Sequence, residues 1–166
     1  YHATPVNGCN TLIVVPDTMV ATHWMKELDQ YFSAITKLYY AGTPADRNRL
    51  RIDLGMTSVR NQVCQRVDDN SRMPPSFPSV IVVTTSLFVK DFDLFFGHYT
   101  FFTTVIDEGH WVKNIYSKQT QTFLRLKTHG TIIMSGTILS RDVCDVIGLT
   151  RFLTHGISSG HRYGAT

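Results

Sequence analysis

The chain has 166 residues, 43% of them hydrophobic and 17% charged, a balance that supports one domain with its own core and excludes a disordered tail or a fibre. Lys and Arg number 16 against 13 Asp and Glu, a net charge of +3; this mild basic excess permits nucleic-acid contact without arguing for it. The longest apolar runs fall well short of the roughly 20 residues that a membrane span needs.

Short β-branched runs alternate with helix-like segments. Thr11 to Val15 (TLIVV) predicts a buried strand stopped by Pro16, and Asp17 or Thr18 is a candidate helix cap. Val20, Trp24, Leu28 and Phe32 then recur every four residues, with Ala21 and Met25 beside them, which makes one apolar helical face. Trp24 on that stripe reads as a core residue ahead of a partner contact. Lys37 to Tyr40 predicts a second strand, ended by Ala41-Gly42-Thr43-Pro44. Ala45 to about Arg66 is polar and basic and predicts helix with a break near Gly55. Its Arg47, Arg49, Arg51, Arg60 and Arg66 read as a solvated surface, with a phosphate-contacting face as the competing reading.

Asp68 to Ser79 (DDNSRMPPSFPS) carries three of the six prolines and predicts a surface loop. Val80 to Thr84 (VIVVT) is the next buried strand. The aromatic stretch Phe92, Phe95, Phe96, Tyr99, Phe101 and Phe102 predicts core packing, and Phe101 to Ile106 a further strand ending in Asp107-Glu108. Ser117 to Lys127 predicts a helix, and Thr131 to Met134 a fifth strand ending in Ser135-Gly136-Thr137. Ser140 would cap a last helix through about Leu153, and His155 to Thr166 reads as a frayed tail.

Strands apolar on both faces, each followed by a helix, imply a parallel sheet covered on both sides. The polar residues cluster just after the strands end, the edge where open α/β sheets bind ligands. Cys9, Cys64 and Cys144 stand far apart with no C-x-x-C pair, which argues against a zinc ribbon and fits a reducing compartment. Tyr1 to Asn10 carry no signal-peptide pattern and do not begin with Met; the expectation is a piece of something longer.

The sharpest chemical feature is Val105-Ile106-Asp107-Glu108-Gly109-His110. An apolar strand here delivers two adjacent carboxylates to its C-terminal end. Nucleotide hydrolysis needs such a pair, one to hold the magnesium ion at the phosphates and one to orient the attacking water. Asp107 takes the metal role in this reading and Glu108 the water role. Gly109 leaves room for a sharp exit, and His110 is placed to sense the nucleotide. A strand capped by two surface carboxylates gives the same short pattern, so the neighbours decide.

Those neighbours resemble a known family. Val105 to Asn114 (VIDEGHWVKN) resembles the DEAH-like box of Swi/Snf-type ATPases within the superfamily 2 helicases. Leu12 to Phe32 resembles the motif upstream of it, where a strand ends in Pro and a helix carries Trp and Glu, here Pro16, Trp24 and Glu27. Val80 to Leu87 (VIVVTTSL) is similar to the strand and Thr that precede the acidic box, and Ile132 to Leu139 (IIMSGTIL) to the Ser/Thr-Gly-Thr motif. The resemblance covers roughly Thr11 to Leu153 and implies a RecA-like α/β lobe that uses ATP and Mg²⁺ and moves on double-stranded DNA. Residues 1–154 would form part of the N-terminal lobe and 155–166 a flexible tail. By position, Asp107, Glu108 and His110 carry over as the catalytic set, with Mg²⁺ on Asp107. Ser135, Gly136 and Thr137 carry over as the coupling motif, and Pro16, Thr84 and Thr85 fall in motifs along the DNA path. A second RecA-like lobe and chromatin proteins are the implied partners, without a membrane, and the implied location is the nucleus.

The chain departs from the family at Trp111, where a basic residue is usual, at Ile138, where proline commonly stands, and at Ser140-Arg141, in place of Gln-Asn. No G-x-x-x-x-G-K-[ST] occurs in the 166 residues. That phosphate-binding loop would lie ahead of Tyr1, and the second lobe with its arginine finger would follow Thr166. The isolated chain is therefore expected to be inactive. These departures also motivate a second reading, a degenerate ATPase fold kept as a DNA- or protein-binding module.

Overall fold

The computed structural model describes residues 10–58, 64–66 and 77–136. In chain order, β1 (Thr11–Val15) leads to α1 (Thr18–Tyr31), β2 (Lys37–Tyr40) and α2 (Pro44–Asp53). The hairpin strands β3 (Met56–Ser58) and β4 (Cys64–Arg66) follow, then β5 (Val80–Thr84) and α3 (Thr85–Lys90). Last come β6 (Thr100–Ile106), α4 (Lys118–Leu124) and β7 (Lys127–Ile133), with 3₁₀ turns at Phe96–His98 and Gly109–Lys113.

Five strands form one sheet in the order β2-β5-β1-β6-β7, and every pairing in it is parallel. Four residues of β1 and all of β5 are buried, as expected of central strands covered on both faces. Alternation along the strands divides the core. Leu12, Val14, Ile81, Val83 and Ile106 face a layer dominated by aromatic rings, including Tyr40, Phe88, Phe95, Phe96, Tyr99 and Phe123. Ile13, Val15, Val80, Val82 and Val105 face the other way, against Ala21 and Leu28 of α1. Each fully buried strand side chain contributes about 1.5–3 kcal/mol of transfer free energy.

The starts of α1, α2 and α4 each carry a local signal, of which the Asp17 cap was read from the sequence. Asp17 caps α1, its carboxylate accepting from Val20 N–H at 3.0 Å, and Ser117 caps α4. Helix α2 opens with a capping box between Thr43 and Asp46, with Pro44 in its first turn.

The boundaries differ in four places. Helix α1 ends at Tyr31, leaving Phe32 as an exposed cap rather than the end of the apolar stripe. The helix expected from Ala45 to Arg66 stops at Asp53, because Gly55 takes a φ of 88° and turns the chain into β3. Helix α4 stops at Leu124, short of Lys127, and β7 begins at Lys127 rather than Thr131. Phe92, Phe95, Phe96, Tyr99 and Phe101 are buried as expected, whereas Phe102 is half-exposed. The helix expected from Ser140 to Leu153, the tail 155–166 and most of the loop before Val80 lie outside the described residues.

Candidate functional site

A parallel sheet brings every strand's carboxyl end to one edge. On this sheet that edge carries Pro16 after β1, Thr84 at the end of β5, Asp107 after β6 and Ser135 beyond β7. Sequence reasoning therefore put its candidates on the same edge. What it did not determine is which side chains remain available there.

Asp107 continues the ladder by one residue, its backbone N–H donating to Val14 O at 2.8 Å. It lies two residues past Val105, so its side chain projects toward the α1 face of the sheet. There the Trp24 indole Nε1–H donates to Asp107 Oδ2 at 2.8 Å. The other oxygen, Oδ1, accepts the Glu108 backbone N–H at 2.9 Å. Both oxygens are thus oriented by one neutral donor each, and each keeps a lone-pair site. The side chain is half-buried.

Glu108 has φ 51° and ψ 44°, and among the described residues it is the one non-glycine with positive φ. Such a conformation costs on the order of 1–3 kcal/mol and persists where the surroundings enforce it. The enforcement comes from the flanking residues. Gly109 N–H donates to Met134 O at 2.9 Å, and Met134 N–H donates to Ile106 O at 2.8 Å. A Cβ on Gly109 would sit 2.5 Å from Ile133 Cγ2, so only glycine lets the turn close against β7. Val112 is fully buried beyond it. The turn is anchored on both sides and throws the Glu108 and His110 side chains outward. Both are more than half exposed, with His110 Nδ1 3.7 Å from Glu108 Oε2.

The remaining candidates divide. Pro16 is exposed. Thr84 and Thr85, in the motifs expected along the DNA path, are buried. The Thr85 hydroxyl donates to Val15 O at 3.0 Å, tying α3 to β1, and Thr84 Oγ1 lies 3.2 Å from Ser86 Oγ. The exposed hydroxyl of that turn belongs to Ser86. Ser135 is half-buried and Gly136 exposed beside the acidic turn. Thr137, Ile138, Ser140 and Arg141 lie outside the described residues. Trp111 packs its ring 5.1 Å from Phe123, which assigns its body to the core; its buried Nε1 has no hydrogen-bond partner among the described residues.

Two readings of the arginine series also change. Arg47 and Arg51 are neither solvated nor phosphate-facing; both are buried. Arg47 Nε donates to Asp91 Oδ2 at 2.6 Å, and Arg51 Nη1 to the same oxygen at 3.3 Å. The Tyr40 hydroxyl donates to that oxygen too, at 2.8 Å, and accepts from Arg51 Nη1 at 3.1 Å. Burial, with the Asp91 carboxylate beside it, holds the Tyr40 hydroxyl well above its ordinary pKa. Arg49 remains exposed.

Magnesium fits this edge in one manner. Among the described residues no three His, Cys, Asp or Glu side chains gather into a metal cage. Magnesium is commonly held by one or two carboxylates together with substrate phosphates, and the oriented, half-open Asp107 supplies such a carboxylate.

The family model of the SNF2-related domain matches residues 3–162. The chain belongs to the SNF2-related domain family. It is 28% identical over 154 residues to the TATA-binding protein-associated factor BTAF1 of Arabidopsis thaliana, covering 92% of this chain and 6% of that protein. It is 30% identical over 147 residues to the TATA-binding protein-associated factor mot1 of Schizosaccharomyces pombe, covering 88% of this chain and 6% of that protein. With the ATP-dependent DNA helicase DDM1 of Arabidopsis thaliana it shares 24% identity, over 90% of this chain and 18% of that protein. This SNF2-related domain thus spans a small share of each of these relatives. Its fold is that of the Sulfolobus solfataricus SWI2/SNF2 ATPase core, solved in complex with dsDNA, at a TM-score of 0.64 and 18% identity. The superposition covers 92% of this chain and 26% of that one, and the shared architecture is a RecA-like parallel sheet. No helix among the described residues is long and apolar enough to cross a membrane.

Trp24 is the residue that sequence reading underused. It does pack beside the α1 core, but its N–H is committed to Asp107, 83 positions away. A partly buried indole needs an acceptor; that need is legible in a sequence, while the identity of the acceptor is not.

Proposed function

We propose that this chain is part of the first RecA-like lobe of an ATP-dependent DNA translocase, a chromatin-remodelling or DNA-repair ATPase that acts on double-stranded DNA in the nucleus. The observation that carries the reading is the acidic turn. Asp107 is oriented on both oxygens, and Glu108 is held in a left-handed conformation with its carboxylate in solvent. Strained backbone of this kind clusters where geometry must be fixed for function.

In this reading Asp107 holds the metal that accompanies ATP. Magnesium bound there supplies neutralisation of charge on the β- and γ-phosphates. Glu108 accepts a proton from the attacking water at its carboxylate, and its exposure leaves room for that water. His110, beside Glu108, is the nucleotide sensor. Ser135, Gly136 and Thr137 couple nucleotide state to DNA from the neighbouring strand, which Met134 N–H ties to Ile106 O. Pro16 lies on the DNA side. Because the Thr84 and Thr85 hydroxyls are turned inward, DNA phosphates there would meet backbone N–H groups and Ser86. A second RecA-like lobe and chromatin proteins complete the proposed set of partners; the names of the relatives, TATA-binding protein-associated factors and an ATP-dependent DNA helicase, support action on DNA.

A test follows in the full-length protein. Glu108→Gln keeps the size of the side chain and removes the proton acceptor, so DNA-stimulated ATP hydrolysis should fall by about 10²–10⁴-fold. Hydrolysis that Glu108→Gln leaves unchanged would overturn the assignment. A full-length protein that binds DNA yet hydrolyses no ATP would favour the binding-module reading. The 166-residue chain by itself, which contains no G-x-x-x-x-G-K-[ST], should hydrolyse ATP no faster than a blank. An arginine from a second lobe is worth about 10³–10⁵ in rate.

A further inference from the structure

Among the buried donors of the α1 face, one is spent on the acidic turn. Ala21, Trp24, Met25 and Leu28 share the inward side of α1 at helical spacing. Of these four, only Trp24 carries a polar group, and that group meets Asp107 Oδ2 at 2.8 Å. The contact joins elements that are not consecutive. Helix α1 follows β1 and packs over β1 and β5; β1 pairs directly with β6, so the Trp24 side chain has to reach sideways to the end of the strand that delivers Asp107. The carboxylate's second oxygen is already fixed by Glu108 N–H. With both oxygens engaged by N–H donors from different elements, the plane of the carboxylate has one orientation.

We infer that Trp24 is a positioning residue for the metal-holding carboxylate, setting the rotamer of Asp107 through its indole N–H. The inference rests on the reading of Asp107 given above. A ligand carboxylate that rotates freely must be ordered each time a cation binds; one locked by an outer hydrogen bond is ordered beforehand. Removal of such an outer partner typically weakens metal affinity by about 10–100-fold. Both donors to Asp107 are neutral, so they orient the carboxylate without cancelling its charge and leave it able to attract a cation. A purely packing role for Trp24 requires the ring and is indifferent to the nitrogen.

The experiment is a Mn²⁺ titration in the presence of ADP, read by electron paramagnetic resonance, on the full-length protein. Wild type, Trp24→Phe and Asp107→Asn are compared, with ADP binding in excess chelator and thermal unfolding measured alongside. Trp24→Phe keeps an aromatic ring on the α1 face and removes the donor. The expected result is a Mn²⁺ affinity weakened about 10–100-fold, with metal-free ADP binding unchanged. In turnover, the half-saturating Mg²⁺ concentration should rise by a similar factor while kcat at saturating Mg²⁺ recovers. If Trp24→Phe lowers the unfolding midpoint, replacement of Trp24 by 3-benzothienylalanine decides the matter, since it keeps the bicyclic shape and exchanges only N–H for sulfur. Unchanged Mn²⁺ affinity in the donor-less variant, together with weakened affinity in Asp107→Asn, would overturn the positioning role alone. Unchanged affinity in Asp107→Asn would overturn the metal assignment of Asp107 and the inference with it.

Discussion

Asp91 and Asp107 are both partly or fully enclosed carboxylates, and their surroundings are opposite. Asp91 is almost wholly buried, and one of its oxygens accepts from Tyr40, Arg47 and Arg51 together. Asp107 is half-open, and each of its oxygens accepts one neutral N–H. The first is neutralised by permanent cations and sealed, so nothing that arrives later can use it. Among the described residues the second is oriented by neutral donors and meets no cation, and it faces an edge of the sheet that solvent reaches. Charge alone does not mark a site; charge held in place and left without a counter-ion does.

The comparison breaks if Asp91 is not structural. Asp91→Ala would leave two guanidinium groups buried without their anion, a loss of about 3–5 kcal/mol, measurable as protease sensitivity and a lowered unfolding midpoint of the full-length protein. Tyr40→Phe removes the hydroxyl that donates to the carboxylate and accepts from Arg51, and should cost about 1.5–3 kcal/mol in the same measurement.

On the Asp107 side the turn itself can be disturbed. Gly109→Ala places a methyl group 2.5 Å from Ile133 Cγ2. The resulting shift should cost about 1–3 kcal/mol and lower ATP hydrolysis by displacing Glu108, whereas Asp91 variants that remain folded should keep the turn intact.

The smallest effects are those of pH. Burial raises the Tyr40 pKa above its ordinary 10.0, so the neutral hydroxyl is favoured in the folded state. That contribution is complete below pH 10 and is lost as pH rises through the folded value, so the α2 region should loosen first in alkali. Asp46 is lowered from 3.8 by the Thr43 side-chain and backbone hydrogen bonds. Its contribution is present above about pH 4 and lost as pH falls through the lowered value, and backbone hydrogen exchange at Thr43–Arg47 should report fraying of α2 there.

Much of this was legible in the residues. TLIVV, VIVVT and the run ending at Ile106 read as buried strands because apolar residues fill both faces, and their order with the helices implied the parallel sheet. The acidic turn was legible because its chemistry and its fold lie in six consecutive residues. The start of β7 was not, since Lys127, Thr128 and His129 are polar, and Lys127 and His129 are exposed at the margin of the sheet. Nor was the hairpin of β3 and β4, whose strands are three residues each. The fate of Arg47 and Arg51 was hidden because their anion lies 44 and 40 positions away. A basic helix with such a partner looks the same in sequence as one facing solvent. Thr84 and Thr85 were read from a resemblance of motifs, and a motif does not say which hydroxyl turns inward.

The central claim is that the Asp107 turn is an ATPase site and not a strand end capped by carboxylates. The direct measurement is DNA-stimulated ATP hydrolysis by the full-length protein carrying Asp107→Asn, with thermal unfolding recorded on the same sample. The account predicts hydrolysis falling to the blank while the protein stays folded, at a cost of about 1–3 kcal/mol for the N–H donor that the Asn amide group can no longer accept. Hydrolysis at the wild-type rate in a folded Asp107→Asn protein would contradict it.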